Sequence, residues 1–240
     1  MKNVLVTGAN GFIGKQLVES LSLRKDINLS VFNRGDDLNK IIDKDYIFHL
    51  AGVINPKNES EYETSNVNLT KNICDRLESV NQTPSIIFSS SYRVEDNTPY
   101  GISKRKSEII IENWAIKNKG NGIIYRLVAV FGKNCKPNHT SVIATFCYNV
   151  SHDLPLRVSD RFKVLEFVYI DNVITSLIKI LDETVKSKMY RKSYPIYKIS
   201  LGDLANTIQS FKKIKNSNFQ ERFNELLYEI YISYINYTIL

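Results

Sequence analysis

Long apolar runs, cysteine, proline and glycine are all scarce in this 240-residue sequence. No run approaches the roughly 18 apolar residues that a membrane-spanning helix needs. The N-terminal segment is short, is interrupted by glycines, and lacks the small-residue cleavage site of a signal peptide. The three cysteines, Cys74, Cys135 and Cys147, show neither metal-ligand nor disulfide-framework spacing. We therefore expect no metal site, reduced thiols, no membrane contact and a cytoplasmic location.

The excess of positive over negative charge is also modest. There are 32 Lys and Arg against 25 Asp and Glu, which gives a net charge of +7. The basic residues are scattered, with no long basic run and no aromatic-basic module, so we predict no nucleic-acid partner. A polyanionic small molecule remains compatible with this balance. The length and the 43% apolar fraction suit one core with a small lobe, not two large domains.

Apolar segments in the first half alternate between two patterns. Continuous β-branched runs, typical of strands buried on both faces, occur at 3–6, 29–32, 46–50, 85–88 and 123–128. Segments with apolar residues at helical spacing lie between them, at 12–23, 61–80 and 100–118. This order predicts a Rossmann-like α/β fold, a doubly wound parallel sheet with helices on both faces.

The pattern changes after Gly132. Predicted helices occupy 139–150, 171–181, 201–212 and 219–237, and predicted short strands occupy 156–158 and 164–170. Asp171 or Asn172 would cap the second of these helices. We expect residues 1–132 to form the main domain and residues 133–240 a small C-terminal lobe, with 162–181 returning to the main domain.

Three glycines join the first predicted strand to the first predicted helix, where residues 7–14 read Thr-Gly-Ala-Asn-Gly-Phe-Ile-Gly. Gly8 permits a tight turn, Gly11 lets the backbone approach a pyrophosphate, and Gly14 allows close helix packing. The helix start adds unpaired N–H groups and partial positive charge. We predict that a dinucleotide binds here; the alternative is a structural turn. The predicted contacts are Gly8, Asn10, Gly11, Phe12, Ile13 and Gly14.

The Gly-x-x-Gly-x-x-Gly spacing resembles that of the extended and atypical short-chain dehydrogenase/reductase superfamily, the NAD-dependent epimerases and dehydratases. The second predicted strand is followed by Arg34. An arginine at this place pairs with a 2′-phosphate, whereas an acidic residue would accept from a ribose 2′-OH. We therefore predict NADPH as the cofactor, against the alternative of a surface arginine in a turn.

Tyr100 and Lys104 stand one turn apart at the start of the third predicted helix, so both project from one face. A phenol has a pKa near 10, which a close cation and a helix N-terminus would lower toward about 7. We predict that Tyr100 exchanges a proton and also contacts the cofactor, and that Lys104 assists catalysis and holds the nicotinamide ribose. The alternative is an ordinary surface pair.

Three serines follow the buried run at 85–88, at the edge where parallel sheets bind ligands. We predict that Ser91 hydrogen-bonds the reacting oxygen and that Ser89 contacts the cofactor. The alternative is that these serines end the strand and only cap a helix. The His-Leu-Ala-Gly run at 49–52 resembles the superfamily segment beside the cofactor, which implies cofactor contacts for Leu50, Ala51 and Gly52. His49 is expected to be a satisfied buried histidine, and Asn66 matches a superfamily asparagine of structural or relay function.

Residues 136–148 and the run at 97–101 resemble one branch of the superfamily, the nucleotide-sugar 4-ketoreductases of capsular polysaccharide synthesis. This resemblance covers essentially the whole chain. It implies NADPH-dependent reduction of a 4-keto UDP-2-acetamido-2,6-dideoxy-hexose, with the C-terminal lobe binding the UDP-sugar. The implied substrate contacts are Ser91, Asn138, His139, Ser141 and Arg161.

Some residues depart from the family pattern. Val128 and Ala129 stand where the family usually carries a proline and an asparagine, and an alanine cannot orient a phosphate or a sugar hydroxyl. We expect no cupin domain and a homodimer; the apolar segment at 226–237 can pack on the lobe, in a dimer or against another domain. A nucleotide-sugar epimerase or dehydratase, and a non-catalytic NADP(H)-binding protein, remain alternatives.

Overall fold

A computed structural model describes residues 1–183, 189–190, 194–213 and 219–237. The strands are β1 (Lys2–Thr7), β2 (Ile27–Phe32), β3 (Tyr46–His49), β4 (Ser85–Ser91), β5 (Asn121–Leu127), β6 (Ala129–Phe131), β7 (Val164–Tyr169), β8 (Met189–Tyr190) and β9 (Tyr197–Ser200). The helices are α1 (Phe12–Ser22), α2 (Ser60–Tyr62), α3 (Leu69–Ser79), α4 (Pro99–Asn118), α5 (Val142–Ser151), α6 (Ile170–Lys179), α7 (Leu201–Ser210) and α8 (Arg222–Tyr234). Two compact units result, Met1–Leu127 with Val173–Ser193, and Val128–Asn172 with Tyr194–Leu240.

The first unit contains a six-stranded parallel sheet in the order β2-β1-β3-β4-β5-β8. From β1 the chain goes first to one side, to β2, and then to the other, to β3, β4 and β5. The strand order therefore reverses between β1 and β3, where Thr7 pairs with His49. Open α/β sheets bind ligands outside the carboxyl ends of the strands at such a switch point. The predicted fold class is confirmed, and it places the glycine segment at this point.

The core of the first unit lies between the sheet and helices α3 and α4. Leu5 of β1 belongs to this layer, while Val4 and Val6 point to the opposite face because strand side chains alternate. Ile73 and Leu77, four residues apart on α3, are fully buried in the same layer, as the helical spacing predicted.

The second unit contains a three-stranded sheet in the order β6-β7-β9, in which β6 and β7 are parallel and β7 and β9 antiparallel. Aromatic rings fill its core. Phe131 meets Phe223 edge to face at 5.5 Å between ring centroids, and Tyr197 stacks on Phe223 at 4.6 Å. Among the described residues, no helix is long and apolar enough to cross a membrane.

Some predicted elements of this half were wrong. The helix predicted from residue 139 begins at Val142, because Asn138 adopts a positive φ of 55° and the Ser141 side chain caps the helix. Residues 156–158 form no strand, while β6 and β9 were not predicted. Helix α6 begins at Ile170, so Asp171 lies in its first turn rather than at its cap.

The observed unit boundary also differs from the expected one. The first unit ends at Leu127 rather than at residue 132, and the chain returns to it at Val173 rather than at residue 162. The reason is strand pairing, since β7 joins both β6 and β9 and thereby keeps residues 164–169 in the second unit.

Candidate active site

The glycine segment after β1 forms a cradle that side chains would fill. Gly8 has a φ of +73°, and a Cβ there would lie 2.6 Å from the Ala51 nitrogen. A Cβ on Gly14 would lie 2.0 Å from the Gly8 carbonyl oxygen. Both obstacles are backbone atoms, which cannot move aside as a flexible side chain would. These two glycines therefore let the turn pack against the β3 exit and against α1.

The start of α1 supplies the polar half of the cradle. Gly11 occupies the cap position without any side-chain bond to the helix, and its own N–H donates to the Gly8 carbonyl at 2.9 Å. The first N–H groups of a helix have no intrahelical acceptor and carry partial positive charge. The predicted residues Phe12 and Ile13 form this first turn, so the segment suits a phosphate.

A cleft of about 490 Å³ opens beside the cradle. Seven of its lining residues were predicted cofactor contacts: Gly8, Asn10, Gly11, Arg34, Leu50, Ala51 and Gly52. The structure thus brings together the glycine segment, the residues after β2 and those after β3.

Exposed Arg34 lines this cleft just after β2, as does Asp36 two residues later. The Asp36 carboxylate accepts bonds from the Asn33 amide and the Lys40 ammonium, each at 2.8 Å. The backbone amide bond and then Lys40 hold the pKa of this carboxyl below its ordinary value. One oxygen of the acidic group nearest the β2 exit is therefore already engaged within the protein.

His49 is buried in a directed chain of hydrogen bonds that ties β1, β3 and α3 together. The Thr70 hydroxyl donates to the Asn66 carbonyl at 2.7 Å, so it accepts from Nε2 of His49 at 2.9 Å. Nδ1 then accepts from the Thr7 hydroxyl at 2.8 Å, which itself accepts from the Ala51 N–H at 3.1 Å. Burial, followed by the charge of Lys104, lowers the pKa of His49 to about 3. The neutral ring has both nitrogens satisfied, as expected.

Asn66 fixes the backbone that follows β3. Its side-chain oxygen accepts from the Val53 N–H at 2.8 Å, and its amide nitrogen donates to the Val53 carbonyl at 3.1 Å and to the Ser103 hydroxyl at 3.0 Å. A Cβ on Gly52 would lie 2.9 Å from the Asn66 amide oxygen and 3.4 Å from Nζ of Lys104. Asn66 therefore has a structural role here, and Gly52 leaves room for the lysine.

Tyr100 and Ser91 come together at the carboxyl end of β4. Ser91 is the last residue of that strand, and Tyr100 lies in the first turn of α4, which Thr98 caps by accepting from the Gly101 N–H at 3.2 Å. Both residues are buried, and the Ser91 hydroxyl lies close enough to the phenol to influence its pKa. The sequence predicted this pair, and the structure joins it.

Lys104 is also buried, with 4% of its surface exposed. Its ammonium donates to the Ser89 carbonyl at 2.8 Å and lies 4.6 Å from the centre of the Phe88 ring. Burial lowers its pKa to about 8, against an opposing effect of the Glu108 charge. The lysine thus lies at the end of β4, next to the β3 exit.

The expected lowering of the Tyr100 pKa was wrong. Burial raises this pKa above its ordinary value of 10, and the bond to Ser91 and the charge of Arg93 only partly oppose the rise. The Lys104 ammonium donates to the Ser89 carbonyl. Tyr100 is therefore a neutral phenol at pH 7.

A buried ion network lies behind these residues and was not predicted from the sequence. Glu108, one turn beyond Lys104, accepts from the Ser90 hydroxyl at 2.6 Å and from Arg126 at 2.9 and 2.8 Å. Arg105 adds a fourth bond at 2.9 Å. The signal was a carboxylate placed four residues after Lys104, on the buried side of the helix.

The other predicted substrate contacts lie in the second unit. Exposed His139 and positive-φ Asn138 belong to the turns before α5, where the Asn138 N–H donates to Thr145 at 3.0 Å. The Ser141 hydroxyl oxygen accepts from the Ala144 N–H at 3.2 Å. Arg161 donates to the Asn206 side chain at 3.2 Å. Their contact with a substrate stays a prediction.

The model of the NAD dependent epimerase/dehydratase family matches residues 4–196. The chain belongs to this family. The match begins in β1 and includes the cradle, the β3 exit, the serines and the Tyr100–Lys104 pair, so the predicted superfamily is confirmed. In the part of the chain that the structure describes, no group of three or more His, Cys, Asp and Glu could hold a metal ion.

One relative in this family is the UDP-2-acetamido-2,6-beta-L-arabino-hexul-4-ose reductase of Pseudomonas aeruginosa. It is 33% identical over 243 residues, which cover 97% of this chain and 64% of the relative. The chain thus spans just under two thirds of that relative's length.

Two solved structures share the architecture. The capsular polysaccharide assembling protein CapF from Staphylococcus aureus has a TM-score of 0.82 at 29% identity, covering 99% of this chain and 68% of the other. UDP-glucuronic acid 4-epimerase from Bacillus cereus, solved with NAD, has a TM-score of 0.83 at 19% identity, covering 97% and 98%. At 19% identity, the likeness to the epimerase shows only that the two chains share a fold.

Proposed function

We propose that this protein is an NADPH-dependent reductase of a 4-keto UDP-2-acetamido-2,6-dideoxy-hexose in the synthesis of a capsular or surface polysaccharide. The observation that carries the proposal is the cluster of buried Ser91, Tyr100 and Lys104 at the carboxyl end of β4. The names of the Pseudomonas aeruginosa relative and of CapF support the substrate class and the pathway.

The cradle fits the cofactor that the proposal requires. Backbone N–H groups at the start of α1 would bind the pyrophosphate, since the missing side chains of Gly8 and Gly14 let the turn close around it. Leu50, Ala51 and Gly52 would line the other side. Lys104 would hold the nicotinamide ribose, because its ammonium lies next to Gly52. When bound, the reduced nicotinamide supplies a hydride.

The proton in this reaction comes from Tyr100. Reduction of a ketone to an alcohol adds one hydride to carbon and one proton to oxygen, so the donor must be protonated beforehand. Burial keeps the pKa of the phenol above 10 and therefore keeps the proton in place at pH 7. Ser91 would hydrogen-bond the substrate oxygen and stabilise the negative charge that develops there.

The preference for NADPH rests on Arg34. Its guanidinium lines the cleft just after β2, where a 2′-phosphate would accept a charge-assisted bond. Asp36 accepts from the Asn33 amide and from Lys40 through a single carboxylate oxygen, Oδ2.

The test is NADPH oxidation against a panel of 4-keto UDP- and dTDP-sugars. We expect turnover with the UDP-2-acetamido-2,6-dideoxy-4-ketohexose and a loss of about 10²–10⁴-fold in kcat/KM for Tyr100→Phe, with NADPH affinity unchanged. Tyr46→Phe removes a phenol from the amino end of β3 and serves as the control.

Two results would contradict the proposal. Equal turnover by wild type and Tyr100→Phe would exclude Tyr100 as the acid. NAD retained through purification, with interconversion of UDP-sugars and no net NADPH consumption, would instead indicate an epimerase.

A further inference from the structure

Arg93 lies over the ring of Tyr100. Its guanidinium carbon is 5.7 Å from the ring centroid, within the distance at which a cation is attracted to the electron-rich face of an aromatic ring. Arg93 belongs to a 3₁₀ turn, Tyr92–Glu95, that directly follows β4. Neither the proposed proton transfer nor cofactor binding uses it.

Local contacts hold this arginine in place. Its Nε donates to the Asp96 carboxylate at 3.0 Å, and one terminal nitrogen reaches the Thr98 hydroxyl at 3.5 Å. A Cβ on Gly101 would lie 2.2 Å from the Arg93 carbonyl oxygen and 2.7 Å from that of Asp96. The missing side chain of Gly101 therefore lets the 3₁₀ turn pack directly on the first turn of α4, which carries Tyr100.

The backbone of Arg93 contacts the same hydroxyl pair. Its N–H donates to the Ser91 hydroxyl oxygen at 3.2 Å, and the Ser91 hydroxyl lies close enough to Tyr100 to influence the phenol. Arg93 thus acts on Tyr100 in two ways: its guanidinium lies over the ring, and its backbone N–H bonds the Ser91 hydroxyl beside the phenol.

We propose that Arg93 is a positioning residue that sets the proton-donor strength of Tyr100, because its guanidinium stabilises the phenolate that remains after the proton has left. The effect of Arg93 on catalysis rests on the proposed function, whereas its effect on the acidity of Tyr100 rests on the geometry alone. A cation over the ring favours the anionic form more than the neutral one, so loss of Arg93 makes Tyr100 a weaker acid.

Other ionisable groups also surround the phenol and must be held constant in the test. They are Tyr62 of α2, whose ring centroid is 6.1 Å away, and Tyr92 of the 3₁₀ turn. Lys104 lies one turn further along the same helix, with its ammonium on the Ser89 carbonyl. Asp96 bonds the guanidinium itself. Substitution of Arg93 alone changes one charge in this set.

The direct measurement is a titration of Tyr100. The protein is labelled with 3-fluorotyrosine, whose ring fluorine makes the phenol more acidic and brings its titration into an accessible pH range. Fluorine NMR follows each resonance with pH, and Tyr100→Phe identifies the signal of Tyr100. We expect Arg93→Gln to raise the Tyr100 pKa by about half a pH unit or more. Arg93→Lys, which keeps a cation, should restore much of the wild-type value.

The matched control is Arg76→Gln on α3. Arg76 donates to Asn39 and Ser79 in the same unit and has no contact with Tyr100 among those described. It should leave the titration unchanged. In an active reductase, the alkaline limb of the kcat/KM profile should move to higher pH in Arg93→Gln by the same interval as the NMR titration.

The outcomes separate the two proposals. An unchanged Tyr100 titration in folded Arg93→Gln overturns the role of Arg93, whether or not the protein reduces a ketosugar. A shifted titration in a protein without reductase activity supports the coupling and counts against the proposed function. A shift of equal size in Arg76→Gln would also overturn the inference, since the effect would then be one of net charge.

Discussion

Substitution of Glu108 by glutamine tests the buried network behind the site. Each carboxylate oxygen accepts two bonds: one from Ser90 and Arg126, the other from Arg105 and Arg126. A glutamine keeps one acceptor and replaces the other oxygen with an NH₂ group, which would face donors. Two hydrogen-bond donors then lose their acceptor, and the positive charge of Arg126 loses its buried counter-ion while keeping exposed Glu95 at 3.5 Å.

The expected loss follows from burial. The Glu108 side chain is 0% exposed and that of Arg126 is 20% exposed, and removal of one partner of a buried pair costs about 3–5 kcal/mol. With a urea m-value of about 3 kcal/mol/M for a chain of this size, the unfolding midpoint should fall by about 1–1.7 M. The control is Glu63→Gln, whose ion pair with Lys106 is half exposed on both sides and contributes about 0–1 kcal/mol.

Urea titrations followed by circular dichroism at pH 7 measure both midpoints. The pH dependence gives a second check. Burial alone would raise the Glu108 pKa, but the bonds from Arg126, Ser90 and Arg105 outweigh it and hold the pKa below 4.5. The stability due to this carboxylate is therefore present above pH 4.5 and is lost as the pH falls through the lower folded value. The difference in the free energy of unfolding between wild type and Glu108→Gln should therefore become smaller as the pH falls below 4.5. Equal midpoints for the Glu108 and Glu63 variants at pH 7 would refute the reasoning.

Three further predictions concern the cofactor end of the sheet. Gly14→Ala should lower the free energy of unfolding by about 1–3 kcal/mol and weaken NADPH binding more than Gly11→Ala does. The reason is that a Cβ on Gly14 would lie 2.0 Å from the Gly8 oxygen, whereas a Cβ on Gly11 would lie 3.2 Å from it. Equal results for the two variants in thermal unfolding and in fluorescence titrations with NADPH would contradict this. Arg34→Asp should weaken NADPH binding about 10–100-fold and favour NADH by calorimetry, and unchanged NADPH affinity would exclude the 2′-phosphate contact. His49, with a pKa of about 3, should stay neutral and protonated on Nε2 between about pH 5 and 8 in ¹⁵N NMR. The unfolded chain takes up a proton on His49 near pH 6.5, whereas the folded chain does so only near pH 3. The free energy of unfolding should therefore decrease as the pH drops below 6.5. Imidazolium signals from folded His49 at pH 6 would contradict this hydrogen-bond network.

Local sequence patterns determined the main sheet and the positions of the site residues within it. Buried β-branched runs and helical stripes are properties of neighbouring residues, so they predicted five of the parallel strands and helices α1, α3 and α4. The glycine spacing identified a turn that only glycine can form at Gly8, where φ is +73°. The chain order of the serines, Tyr100 and Lys104 indicated one site, because parallel strands end at the same edge of a sheet.

Only the tertiary structure decided what surrounds each of these groups. The pKa of Tyr100 depends on burial and on Arg93, and the ammonium of Lys104 is bonded to the Ser89 carbonyl. The partner of Glu108 is Arg126, 18 residues away on another element. Desolvation and long-range pairing arise when distant segments pack together, so no local pattern could reveal them. In the second unit the sheet joins β6, β7 and β9 across long stretches of chain. For the same reason, two of its strands and the unit boundary were not predicted from the sequence.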